Sequence, residues 1–96
     1  MPKEEIEKVY IGNKDISRYI SACFFALGKN ENKSVMIVSR GNHIKRAIDI
    51  LAILIRDYLE NPSYDIKVCS DTYENRNVSA IEITLSGTRK NKEIKE

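Results

Sequence analysis

No window of this sequence approaches the about 18 consecutive apolar residues that a membrane-spanning helix needs. The opening Met1-Pro2-Lys3-Glu4-Glu5 is polar where an export signal would require an apolar core. Both absences point to a cytoplasmic protein without a membrane partner. Cysteine is scarce as well. Cys23 and Cys69 stand in apolar runs, without metal-like spacing and without a pair of histidines to complete a ligand set. That pattern fits free thiols in a reducing compartment and argues against a disulfide framework or a metal site. His43 is the single histidine, and no local motif sets a serine or cysteine beside it as nucleophile. The four scattered glycines form neither Gly-x-Gly-x-x-Gly nor Gly-x-x-x-x-Gly-Lys-Ser/Thr. No cofactor is therefore expected, and the chain reads as non-enzymatic. A dominant charge is missing too. Sixteen Lys and Arg against 14 Asp and Glu leave a net +2, too balanced to signal a nucleic-acid ligand by composition, so any basic footprint must come from clustering.

What is present is one domain's worth of alternating apolar segments. A chain of 96 residues buries only about 60–70% of its unfolded surface on folding, so a second subunit would add usefully to its stability. Residues 1–7 and 87–96 are charged and lack apolar periodicity, which predicts two flexible tails around a working domain of residues 8–86. Lys8-Val9-Tyr10-Ile11 is β-prone and is closed by Gly12-Asn13. Ile16, Tyr19, Ile20, Cys23, Phe24 and Leu27 then recur at helical spacing after Asp15, with Gly28 as a stop. After the polar linker 29–33, Ser34-Val35-Met36-Ile37-Val38-Ser39 predicts a central strand. Ile44, Ala47, Ile48, Leu51, Ala52, Ile55 and Leu59 predict a second helix of about four turns. Ile50, Ile53 and Leu54 widen its apolar surface beyond one stripe, which predicts a partner chain over Ile50 and Leu54. Tyr64–Cys69 and Val78–Leu85 alternate as two further strands, joined by an exposed connection over residues 71–77. The fold class is α/β in the α+β sense: a single β-α-β-α-β-β domain with a four-stranded mixed sheet, two helices and a projecting hairpin.

Two clusters carry chemistry. Gly12-Asn13-Lys14 lifts a cation beside a helix N-terminus, with Arg18 one turn later, a combination that favours phosphate. Arg40-Gly41-Asn42-His43-Ile44-Lys45-Arg46 is the densest positive charge in the chain. Arg40 can bind phosphate bidentately, Asn42 can cap the helix or touch a nucleic-acid backbone, and Lys45 and Arg46 add charge in the first turn. Cations at a helix N-terminus oppose the macrodipole at a cost of about 0.3–1 kcal/mol, and an anionic ligand relieves that conflict. For Lys14 alone a solvated loop lysine is the plainer reading, and for the second cluster a solvated turn partly neutralised by Asp49 and Glu60 stays open. The hairpin arm carries Lys67, Tyr73 and Arg76, against which Asp71 and Glu74 repel phosphate.

Val9-Tyr10-Ile11-Gly12-Asn13-Lys14, the run from Ser34 to Asp49 with its Arg-Gly-x-x-Ile-x-x-Ala-Ile-Asp pattern, and Val78-Ser79-Ala80-Ile81-Glu82-Ile83 together resemble the Alba family of archaeal chromatin proteins. The resemblance covers nearly the whole domain. It implies a homodimer that coats or compacts double-stranded DNA with little sequence preference, its two hairpins following the minor groove, and that also binds RNA; such a protein would be chromosome-associated. On that likeness Lys14, Arg40 and Asn42 fall at the phosphate backbone, with Asn13, Arg18, Lys45, Arg46 and Arg76 as additions. Tyr58 falls where members carry an aromatic at contacts between dimers, so Ile50, Leu54 and Tyr58 are the expected interface residues. Lys14 falls in the loop where members are acetylated. This chain departs from the pattern in three places. Asn13-Lys14-Asp15 replaces two lysines and a proline, Asn42 replaces a basic residue, and the hairpin is shorter and more acidic. Weaker DNA binding is therefore expected. The rival readings are an RNA-binding protein of a ribonucleoprotein and a protein–protein assembly module without nucleic acid.

Overall fold

Seven residues with strictly alternating burial, Ser34–Arg40, form the strand on which the rest is assembled. In the computed structural model, residues 6–29 and 34–90 are described. The expected tail segments 1–5 and 91–96 and linker residues 30–33 lie outside them. The elements are β1 (Glu7–Tyr10), α1 (Ile16–Lys29), β2 (Ser34–Arg40), a single 3₁₀ turn (Gly41–His43), α2 (Ile44–Ile53), a wider π turn (Leu54–Tyr58), β3 (Leu59–Tyr73) and β4 (Arg76–Arg89). The sheet order is β1-β2-β4-β3. β1 runs parallel to β2, and β4 is antiparallel to both β2 and β3. The mixed four-stranded α+β fold expected from the sequence is the one observed.

The core follows from strand alternation. Val35 and Ile37 of β2 pair with Leu85 and Ile83 of β4, and all four are inaccessible to solvent. Against this face α1 packs Tyr19, Ile20, Cys23, Ala26 and Leu27, and α2 with its π turn packs Ala47, Ile50, Leu51 and Leu54. Each fully buried Leu or Ile contributes about 1.5–3 kcal/mol of hydrophobic stabilisation before entropy is counted. Burial also pushes the Cys23 thiol up from 9.0 to about 12. It therefore stays protonated and inert at neutral pH, as expected of a buried free cysteine.

The expectation that Ile50 and Leu54 face a partner chain is overturned, because both are 0% exposed inside this chain's own core. The inward stripe of the second helical segment is 47, 50, 51 and 54, rotated from the anticipated one; Ile48 and Ala52, assigned to the core stripe, are instead exposed. Three element boundaries also move. α-Helical geometry stops at Ile53, and Leu59 already opens β3. The anticipated seven-residue connection shrinks to Glu74-Asn75, with φ of 52° and 64°, the mirror-image two-residue turn whose twist matches that of paired strands. β4 continues through Arg89, so residues 87–89 belong to the sheet and not to a tail. There the Arg89 guanidinium lies 4.8 Å from the centroid of the Phe24 ring, in space that a side chain at Gly28 would fill.

Leu59, at the start of β3, is buried in the core, and from Tyr64 to Val68 the strand is exposed on both faces. At about 3.3 Å per residue its 15 residues span about 50 Å, and they set the molecule's 51 Å long axis.

Candidate nucleic-acid interface

Because β1 and β2 are parallel, the segments leaving their C-terminal ends emerge side by side. The Ile11 N–H donates to the Val38 carbonyl at 2.9 Å, so the loop after β1 starts next to the turn after β2. Tyr19 shapes that loop from below. Its ring is buried, and its hydroxyl accepts hydrogen bonds from the N–H groups of Gly12 at 2.8 Å and Lys14 at 3.0 Å. These two amides therefore point inward, while the Asn13 and Lys14 side chains stay exposed.

The two cation-bearing segments are joined directly. Arg46, in the first turn of α2, donates from Nη2 to the Lys14 carbonyl, and its Nε is buried without a partner among the described residues. Arg40 lies in extended backbone and is exposed, with its guanidinium 3.4 Å from the Asp71 carboxylate of β3. Lys45 pairs with Asp49 one turn along, at 3.0 Å. Exposed pairs of this kind are worth about 0–1 kcal/mol, so a phosphate can exchange for the carboxylate at little cost.

Gly41 has φ of 60°, and a Cβ there would lie 3.6 Å from Val78 Cγ1. The turn thus packs against β4. Neither the 3₁₀ turn nor α2 has a side-chain cap hydrogen bond, so the capping role considered for Asn42 is not used. Asn42 instead lines a groove with Gly41, Arg76, Asn77, Val78 and Ser79. The structure therefore brings Lys14 to Arg46, Arg40 to Asp71, and Asn42 to Arg76. Arg18 stands apart, on the outer face of α1 with Ser17, Ser21, Ala22 and Phe25.

Tyr58 is half-buried and packs edge-on to Phe24 within the chain, with ring centroids 5.4 Å apart. The large apolar surface lies elsewhere. Tyr64, Ile66 and Val68 are 54%, 39% and 74% exposed. They pair with Leu85, Ile83 and Ile81, so they share the helix-bearing face of the sheet but lie beyond both helices. Sequence reasoning missed this face, although the alternation of Tyr64, Ile66 and Val68 with Asp65 and Lys67 was its signal. It also missed Tyr19 as the organiser of the first loop. The clue was a hydroxyl-bearing residue in an otherwise apolar stripe, within reach of a glycine turn. The Tyr73 side chain lies outside the described residues. Among the described residues no cluster of His, Cys, Asp and Glu could hold a metal ion, and no helix is long and apolar enough to cross a membrane.

Two helices on one face of a β1-β2-β4-β3 sheet, with a long hairpin projecting from its edge, define an Alba-like α+β domain. The chain belongs to the Alba family, whose profile matches residues 7–72. It is 33% identical over 91 residues to the DNA/RNA-binding protein Alba of Thermoplasma acidophilum, covering 90% of this chain and 99% of that protein. It is 35% identical over 93 residues to the DNA/RNA-binding protein Alba of Nitrosopumilus maritimus, covering 88% and 95%. Among solved structures, Alba from Thermoplasma volcanium superposes with a TM-score of 0.68 at 27% identity, covering 83% of this chain and 99% of that one. ALBA1 from Trypanosoma brucei superposes at 0.74 with 16% identity over 90% of this chain and 73% of that one, a likeness of fold alone.

Proposed function

We propose that the chain binds nucleic acid as a homodimer, with duplex DNA as the main ligand, little sequence preference, and RNA as a second ligand. Lys14, Arg40, Asn42, Lys45, Arg46 and Arg76 serve the phosphates, with Asn13 and Arg18 at the margin, and the β3–β4 hairpins follow the minor groove. The protein would coat or compact the chromosome. The relatives named DNA/RNA-binding proteins support the ligand class. The observation that carries the reading is the Arg46 to Lys14 contact, which holds two separate cation clusters as one edge. The subunit contact is assigned to Tyr64, Ile66 and Val68 in place of Ile50 and Leu54. An uncovered extension of the core is the surface that a second copy would bury. Acetylation of Lys14 would remove the lone lysine charge of the first loop.

Titrating duplex DNA at several salt concentrations tests the assignment. Affinity should fall with salt at a log–log slope of about −0.9 per phosphate neutralised, and Arg40→Glu should weaken binding and flatten that slope. Affinity insensitive to both salt and Arg40→Glu would sink the reading. RNA as the main ligand is favoured by one observation, the amide-lined groove beside Arg76. Direct competition between matched single-stranded RNA and duplex DNA separates the two readings.

A further inference from the structure

The groove between the Gly41–His43 turn and the base of the hairpin differs in chemistry from the cationic edge beside it. Its polar side chains are two amides, a hydroxyl and one guanidinium, from Asn42, Asn77, Ser79 and Arg76, and no carboxylate lines it. By strand alternation Asn77 and Ser79 share the face of Ile81, opposite Thr72 and Ser70, so the surroundings on that face are uncharged as well. Val78, half-buried and in close approach to Gly41, adds an apolar wall. The space is about 470 Å³, ample for one planar heterocycle.

Phosphate offers acceptors alone, so it would use the donors of this groove and leave the two amide oxygens without a donor. An asparagine amide presents a donor and an acceptor side by side, which matches the paired donor and acceptor atoms of a base edge. Resting on the reading of the neighbouring edge as a phosphate site, we infer that this groove takes a single unpaired nucleobase, whose edge is read by Asn77 together with Asn42, which turns to phosphate only on a duplex. Arg40 pairs with Ala80 and meets Asp71 opposite Val78, so its guanidinium stands on the Val78 side of the groove, where the phosphate of the same nucleotide can bind. The base must be unpaired because in a duplex its hydrogen-bonding edge is occupied and it is held in the stack. Arg76 at the rim suits the next phosphate or the face of the base.

The test is fluorescence anisotropy on single-stranded RNA homopolymers of the four bases, with single-stranded DNA of the same sequences and duplex DNA in parallel. Wild type and the exposed-site variants Asn77→Ala and Ser79→Ala are compared after circular dichroism shows each to be folded. Wild type should prefer one base by about tenfold. Asn77→Ala should abolish that preference and Ser79→Ala should reduce it, while the salt slope on duplex DNA, set by the cationic edge, stays as in wild type. A preference shared by the DNA strands supports recognition of the base alone. One confined to RNA supports an added contact to the ribose 2′-hydroxyl. Equal wild-type binding to all four bases, or a preference that survives Asn77→Ala, overturns the inference and leaves the phosphate edge standing. Failure of wild type to bind any nucleic acid overturns both.

Discussion

At the edge formed by Gly12–Lys14 and Arg40–Arg46, position is set from inside the molecule. A buried tyrosine holds the loop, and Arg46 ties the loop to the start of α2. Along β3 and β4, position is set by register alone, and an edge strand carries apolar residues on one face with Asp65, Lys67 and Asp71 on the other. The first region is complete in one chain. The second exposes on its inner face what a complete domain would cover. Charge follows the same division. The edge supplies most of the cations, with Arg76 added from β4, and the hairpin also supplies Asp71, the carboxylate that occupies one of them.

If that contrast is right, damage to the hairpin's inner face should destroy association and spare the fold, with the largest effect of any change considered. Val68→Asp combined with Ile66→Asp places carboxylates on a surface that two-fold symmetry would bury twice, at a cost of several kcal/mol (roughly, per buried unpaired charge). Sedimentation should report a monomer, while circular dichroism retains the native sheet, because Ile81, Ile83 and Leu85 are covered by this chain's own helices. An unchanged assembly mass would remove the contrast.

The opposite behaviour is expected at the edge. Tyr19→Phe leaves the ring in the core but deprives the Gly12 and Lys14 N–H groups of their acceptor. A loss of about 1–3 kcal/mol in denaturant unfolding should follow. DNA binding should weaken as well, because the loop loses the support that presents Lys14, while assembly mass stays as in wild type. If binding is untouched, the buried hydroxyl does not organise the site.

A smaller effect, in the favourable direction, tests how the two regions communicate. Asp71→Asn frees Arg40 from its ion pair. Duplex affinity should rise by a few fold, and the salt slope should steepen by up to about 0.9, the value of one more phosphate neutralised. An unchanged slope would mean that Arg40 reaches phosphate without leaving Asp71.

Which parts of this were legible in the sequence follows from distance along the chain. Turns, strand alternation and cation clusters are local patterns, and they gave the element order and located the Arg40–Arg46 segment. The partners of those cations are not local: Arg46 reaches back 32 residues to Lys14, and Arg40 meets Asp71 from a different strand. Helical periodicity failed for a physical reason too. The second helical segment is apolar at 44, 47, 48 and 50–55, so several inward stripes satisfy the same spacing. Only packing against β2 and β4 selects 47, 50, 51 and 54 and leaves Ile48 outside. The same limit hid the true apolar face, since alternation at Tyr64, Ile66 and Val68 identifies a side of the strand without saying whether a helix covers it.

The hairpin tip gives the smallest expected effect and the strictest check that register alone governs this region. Glu74 has φ of 52°, in the left-handed region that disfavours a β-carbon by roughly 1–2 kcal/mol, whereas asparagine enters it more readily. Glu74→Asn should therefore raise stability by about 0.5–1 kcal/mol in thermal or denaturant unfolding. It also removes a negative charge from the arm, so duplex affinity should rise slightly where the tip approaches phosphate. Stability gained without any change in affinity would place the tip away from the ligand and confine binding to the edge. Stability lost would show that Glu74 is held by something other than the turn.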